Sequence, residues 1–223
     1  LTYQPSDAFS FMVGGFFADT ENETDSLIVL DSFILRQDQY QKRRNESRAI
    51  LAELRWMIAE PLTLTAGFRW DQDRFQFYGY CRTLNPFANC VTLDPAQYTR
   101  TTNAYLPRVT LLYEPIVDHE FGVTVSQGYR AGFVSGGSVV DPEELWNYEA
   151  SYRGSFIDGA LTLRGNFFYY DWQDMQVDIG TGGSEQVVNL GSSRLMGVEL
   201  VVGLQPAEGL SLVTSFGYLN TEI

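Results

Sequence analysis

The sequence predicts an all-β fold, an antiparallel transmembrane β-barrel segment of about nine strands, from three observations. Apolar and polar residues alternate along extended segments, the connections between segments are alternately tight and long, and aromatic residues gather at both segment ends. Successive side chains of a strand point to opposite faces, so alternation builds a wall with one greasy and one wet side. In Leu62 to Trp70, residues Leu62, Leu64, Ala66, Phe68 and Trp70 share one face, and Thr63, Thr65, Gly67 and Arg69 share the other. Gly209 to Tyr218 repeats the pattern, with Leu210, Leu212, Phe216 and Tyr218 set against Ser211, Ser215 and Gly217.

Composition narrows the kind of wall. Aromatics make up 14% of the chain, yet the hydrophobic fraction is only 44% and mean hydropathy is slightly negative. That balance suits neither a helical membrane protein nor a disordered chain. No apolar run approaches the roughly 18 residues that a spanning helix needs. Barrel strands evade that test because each lipid-facing residue is diluted by a lumen-facing one. A length of 223 residues would suit one or two soluble domains, and the net charge of −13 leaves no means of neutralising phosphates, so nucleic acid is not a partner. The basic cluster Lys42, Arg43, Arg44 reads as a solvated loop or strand end.

Taken in order, the first segment lies near 8–18 and is followed by the long polar stretch 19–43. The second, near 44–58, turns through Ala59-Glu60-Pro61 into the third, near 62–78, and the long stretch 79–100 follows. The fourth, near 101–113, turns through Glu114-Pro115-Ile116-Val117-Asp118 into the fifth, near 119–132, followed by 133–144. The sixth, near 145–155, turns through Phe156-Ile157-Asp158-Gly159 into the seventh, near 160–177, followed by 178–186. The eighth, near 187–204, turns through Gln205-Pro206-Ala207-Glu208 into the ninth, near 209–220. Proline, aspartate and glycine at the tight joints supply the turn dihedrals. Short turns at one end and long loops at the other are the mark of outer-membrane barrels. A soluble sandwich can mix loop lengths, but it rarely needs such long strands with aromatics at both ends.

The two faces carry different residues. Trp70, Tyr78, Tyr105, Tyr129, Trp146, Tyr148, Tyr170 and Trp172 fall near the long-loop ends, and Trp56, Tyr113, Tyr152 and Phe156 near the tight turns. Amphipathic rings favour the membrane interface, so these form two girdles around a hydrocarbon band. On the opposite phase stand Glu53, Arg55, Arg69, Asp71, Arg108, Arg130, Glu149, Arg153 and Glu199. Unpaired in a dry core they would be severely destabilising; in a wide barrel they line water or a plug that fills the lumen. Arg164 and Arg194 fall off this phase, Arg194 marking a strand end above the membrane.

Catalytic chemistry is nearly absent, and no catalytic residue, metal site or cofactor is assigned. The one histidine, His119, reads as a solvated turn residue beside Glu120, with no nucleophile near it in sequence. Gly180-Thr181-Gly182-Gly183 lacks the following helix and lysine of a phosphate loop and reads as a flexible tip. Asn22-Glu23-Thr24 and Asn45-Glu46-Ser47 read as chance sequons, and Asp141, Glu143 and Glu144 as loop solvation without metal-ligand spacing. Cys81 and Cys90 share one long loop. A pair this local in an oxidising compartment forms a disulfide that stiffens the loop; free thiols or a metal site are the weaker options.

From Ser126 onwards the chain resembles a known family. SQGYRAGF (126–133), PEELWNYEASYRG (142–154), LTLRGNFFYYDWQDMQV (161–177) and NLGSSRLMGVELVV (189–202) resemble, in that order, the barrel of TonB-dependent outer-membrane receptors. The earlier hairpins agree in style only. The resemblance implies a bacterial outer-membrane location and a 22-stranded barrel around an N-terminal plug, importing scarce ligands such as ferric siderophores with energy from the TonB complex. Residues 1–223 then form a partial barrel domain, incomplete at both ends, with no plug in this segment and no TonB-contact segment. Partners would be outer-membrane lipid, the TonB complex through the plug region and a small ligand such as a ferric siderophore. A passive porin or structural barrel, and after it an outer-membrane hydrolase, are the alternatives. For ligand contact the sequence nominates Arg130, Phe133 and Trp146, where a guanidinium and an aromatic plane would meet at the barrel mouth, with the ion pair Arg130 to Glu149 or a plug carboxylate as the competing role.

Overall fold

A computed structural model describes the backbone of residues 1–30, 35–83, 98–135, 138–180 and 186–222, and the side chains of these outside 26–30, 35–39 and 80–83. The strands are β1 (Thr2–Ser6), β2 (Phe9–Leu30), β3 (Leu35–Ala59), β4 (Leu62–Thr83), β5 (Thr99–Ile116), β6 (His119–Arg130), β7 (Phe133–Ser135), β8 (Ser138–Val140), β9 (Glu143–Phe156), β10 (Leu161–Gln173), β11 (Gln176–Ile179), β12 (Gln186–Asn189), β13 (Ser193–Ala207) and β14 (Leu210–Glu222). Ten of them make one sheet in the order β1-β2-β3-β4-β5-β6-β9-β10-β13-β14, while β7-β8 and β11-β12 are separate two-stranded ribbons. The pairing is antiparallel throughout and, the two ribbons apart, each strand lies beside the next in the chain, so the sheet is a meander with β1 and β14 at its edges.

The register aligns the alternation from strand to strand. One row runs Trp56, Leu64, Leu111, Val123, Ala150, Phe167, Val198, Tyr218 across eight strands. Many large apolar side chains of this phase stand exposed, including Phe68, Val109, Val123, Phe167, Val198 and Phe216. The other phase carries Ala49, Asp71, Phe75, Phe77, Ala104 and Phe168, all buried, because side chains on the inside of a curving sheet crowd one another. An apolar face this large left to water would be strongly unfavourable, and a hydrocarbon surround removes that cost. The apolar band spans nine residues on β4, Leu62 to Trp70, the length a tilted strand uses to cross a bilayer.

Several expectations change. Ten strands, not nine, make the main sheet, because Thr2–Ser6, ahead of the first segment expected near 8–18, pairs with the start of β2. Most of 19–43 continues β2 and β3 as one long hairpin; at about 3.3 Å per residue β3 is about 80 Å long, far more than the membrane requires. Polar residues hide this from a search for apolar alternation, because above the membrane both faces are wet. Within it, Lys42 bonds Glu21 and Glu23, each at 2.7 Å, and Arg44 pairs with Asp19 at 2.7 Å, so two members of the basic cluster belong to a cross-strand charge ladder. The segments 160–177 and 187–204 are each broken, at Asp174-Met175 and near Leu190-Gly191-Ser192, where the ribbon β11-β12 leaves the sheet.

Tyr170 and Trp172 leave the girdle. Their partners are Asn147 and Leu145, which places both on the inner face, and the same phase brings Arg164 inward beside Arg153. Phe168, Tyr170 and Trp172 give the inner phase of β10 an apolar look that local alternation misassigns. Gly159 and Gly209, with φ of +89° and +80°, close tight turns in the left-handed region open to glycine. The β5-β6 ladder runs from Ile116 paired with His119 to Arg108 paired with Ser126 and stops there, although both strands continue. Pro107 comes next and has no N–H to give. Beyond that point Tyr129 donates its hydroxyl to Asp73 of β4.

Candidate functional site

The inner face carries the charges the alternation assigned to it. Arg55 stands opposite Thr65, Arg108 opposite Gly67 and Ser126, Glu149 opposite Thr124 and Phe168, Arg153 opposite Glu120 and Arg164, and Glu199 opposite Asn166 and Gly217. Arg69 grips Asp71 with two hydrogen bonds, Nε at 2.6 Å and Nη2 at 2.7 Å, which lets the Asp71 carboxylate sit at 4% exposure. Four inner-side polar atoms are buried without a partner among the described residues: Asn147 Oδ1, Asn166 Oδ1, Trp172 Nε1 and Gln176 Oε1. A packed apolar filling would leave these atoms costly, so the face is built to meet water or polar groups.

At the long-loop end two ribbons fold over this face. Where the chain leaves β6, a Cβ on Gly132 would lie 2.6 Å from the Val140 carbonyl oxygen, so only glycine lets the β7-β8 ribbon close on its own base. Val134 of β7 then buries against Phe75 and Phe77 of β4, with Phe133 and Tyr98 packed around them. Asp141 reaches Arg100 of β5 at 2.6 Å. The ribbon thus spans the place where the β5-β6 ladder has stopped.

The nominated residues fall as follows. Arg130 pairs with Glu143, Nε to Oε1 at 3.0 Å, and its Nη2 donates to the Gln176 carbonyl at 2.9 Å. The partner is therefore Glu143, not Glu149, because Arg130 and Glu143 are register neighbours at the strand ends. Phe133 lines the inner apolar cluster. Trp146 pairs with Gln127, which puts it on the face opposite Arg130, where it stacks with Tyr148 at a centroid distance of 6.4 Å; the guanidinium and this ring do not meet. The loop-solvation reading of Glu143 is overturned: it is buried to 6% exposure and holds both Arg130 and the Gln176 amide. Sequence reasoning missed Gln176 and Asn189 as well, although Glu143, Gln176 and Asn189 all lie within the strings that carry the family resemblance. Cys90 and the Cys81 side chain, with the disulfide expected between them, lie outside the described residues.

At the tight-turn end, His119 is not simply solvated. Its Nδ1 is 2.8 Å from the Tyr152 hydroxyl and its ring meets Phe156 edge-on at 4.8 Å. Ser155 lines the same recess, with Glu120, Arg153 and Arg164, but its contact to the neighbouring strand is a backbone one, its amide donating to the Asp118 carbonyl. His119 is the register neighbour of Gly154, so the Ser155 side chain, one residue on, points to the opposite face of the sheet. Among the described residues no group of three metal-ligating side chains comes together.

A family model described as "TonB dependent receptor-like, beta-barrel" matches residues 2–223. Among curated proteins, the metal-pseudopaline receptor CntO of Pseudomonas aeruginosa is 26% identical over 127 residues, 56% of this chain and 18% of that protein. The matched segment thus spans under one-fifth of the length of that relative. Among solved structures, the copper transporter OprC is similar with a TM-score of 0.77 at 17% identity, covering 97% of this chain and 35% of that one. The ferric yersiniabactin uptake receptor FyuA of Yersinia pestis is similar with a TM-score of 0.64 at 19% identity, covering 98% of this chain and 37% of that one. At these identities the structural likenesses speak for the fold.

Proposed function

This chain belongs to the TonB-dependent receptor-like β-barrel family, whose members sit in the outer membrane of Gram-negative bacteria, and from that premise we propose that the protein it walls is an active importer. It captures a scarce small ligand, a metal chelate such as a ferric siderophore, on the long-loop side and passes it inward with energy delivered by the TonB complex. The supporting observation is the asymmetry of the sheet. An apolar outer band surrounds a polar inner face, and the ribbons at one end fold over that inner face instead of standing clear of it. A passive pore needs its mouth open, whereas a capture device needs groups held over the lumen. The similarity to a metal-pseudopaline receptor supports a metal chelate as the ligand class.

In this reading the rim around Arg130 and Phe133 contributes to capture. The Arg130 side chain remains about half exposed despite its pairing with Glu143, so part of the guanidinium still faces outward to meet an anionic chelate. Trp146 and Tyr148, on the opposite face, serve as interface aromatics. The test is growth of an iron-starved strain carrying the full-length gene, or its deletion, on a panel of ferric siderophores, each with and without TonB. Growth on at least one chelate that requires both gene and TonB is expected. Uptake of small solutes that needs no TonB and shows no ligand preference would identify a passive porin instead.

A further inference from the structure

The two ribbons over the inner face, β7-β8 and β11-β12, share no sheet with each other or with the wall. They are nonetheless joined by a dense polar node. The Gln176 amide donates to Glu143 Oε2 at 2.6 Å, and its side-chain Nε2 donates to the carbonyls of Ala131 at 3.2 Å and Asp141 at 2.8 Å. Asn189 Oδ1 accepts the Asp141 amide at 2.7 Å while its Nδ2 donates to the Asp141 carbonyl at 3.0 Å. The same Nδ2 donates to the Asp174 carbonyl at 2.7 Å, closing the base of its own ribbon. Nearer the tips, the Val187 amide donates to Ser135 Oγ at 2.9 Å. Glu143 and Gln176 are each exposed by only 6%, so the bonds they make are shielded from water, whereas those of Asn189 lie at the surface.

We infer that the two ribbons form one mechanical unit, locked by Glu143, Gln176 and Asn189, so that whatever contacts either ribbon is felt by both. The lock is one-sided in a useful way. Glu143 starts a wall strand and already holds Arg130 at the end of the neighbouring wall strand, so the carboxylate ties the unit to the rim. Asn189 has no contact with the wall: besides closing its own ribbon at Asp174 it reaches only Asp141, just after β8. Apart from the one to Asp174, each of these bonds joins one ribbon to the other or to the rim, so removing one partner loosens both sides instead of one. The inference rests on reading the long-loop end as the ligand-facing end, and the measurement below does not depend on that reading.

The experiment is hydrogen exchange followed by mass spectrometry on purified full-length receptor in nanodiscs. Asn189→Ala, on β12, is expected to speed exchange about tenfold in residues 176–189 and also in residues 133–140, which lie on the other ribbon. Glu143→Gln, which keeps the shape and removes the charge, should speed both by a similar factor, while Leu161 to Tyr169 in the wall stays unchanged. Ser135→Ala, which touches the node only through the Val187 amide, gives a third route should Glu143→Gln fail to assemble. Faster exchange confined to a single ribbon, or no change in either, would overturn the coupling. A receptor that imports nothing but shows shared exchange would retain the coupling and lose the proposed function; independent ribbons in a working importer would do the reverse.

Discussion

Arginine at Val109 and arginine at Thr110 should have very different costs, although the two positions adjoin. Val109 is on the outer face, 46% exposed, between Ala66 and Val125, and lies four residues from each of the interface aromatics Tyr105 and Tyr113. Four residues at about 3.3 Å place it about 13 Å along the strand from either ring, at the middle of the hydrocarbon band. A charge at that depth costs about 2–4 kcal/mol in a barrel. Thr110 faces inward, where its hydroxyl is 3.0 Å from that of Thr124, and Glu149 is the next residue in that row. Losing the hydroxyl contact costs about 0.5–1.5 kcal/mol, and the new guanidinium gains a carboxylate within reach. The expected gap is about 2 kcal/mol, about thirtyfold in the folding equilibrium. Reversible urea unfolding of the full-length receptor into lipid vesicles, followed by tryptophan fluorescence, measures it. Equal costs, or a greater cost at Thr110, would show that the two faces are not lipid and lumen.

Above the membrane, the β2-β3 ladder should weaken in acid. The hydrogen bond from Arg44 holds the Asp19 carboxyl below its ordinary value, and the hydrogen bond from Lys42 does the same for Glu23. A depressed folded value stabilises above the ordinary carboxylate range and is lost as pH falls through the folded one. Exchange of residues 19–25 should therefore be slow at pH 7 and accelerate below about pH 4 beyond the intrinsic trend; an unchanged protection factor would count against the ladder. For orientation, a cysteine at Asp158 should resist a membrane-impermeant maleimide on intact cells, whereas a tag near Gly182 should be reached; the opposite pattern would turn the sheet upside down. Cys81 and Cys90 should resist alkylation in the unreduced native receptor, and two alkylated thiols would remove the disulfide.

Alternation is a local property, so it was legible wherever one face meets lipid. From Leu62 to Trp70, or Leu210 to Tyr218, adjacent residues alone declare which side is greasy, and the tight joints declare which end is trimmed. Where both faces meet water, as in Asp19 to Arg43, that contrast disappears, and the hairpin shows only once the strands are paired. Along β10 the rings of Phe167 and Phe168, and of Tyr169 and Tyr170, follow one another without a break, so apolarity cannot give the phase. Register with Glu149 and Asn147 does, because a neighbouring strand fixes which of two adjacent rings points inward. The rim was the least legible. Glu143 meets Gln176 across 33 residues and Asp141 meets Asn189 across 48, and no sequence pattern measures such distances. Glu143 reads as loop solvation until the fold buries it against Arg130 and Gln176, so the wall was written in the chain and its roof was settled by packing.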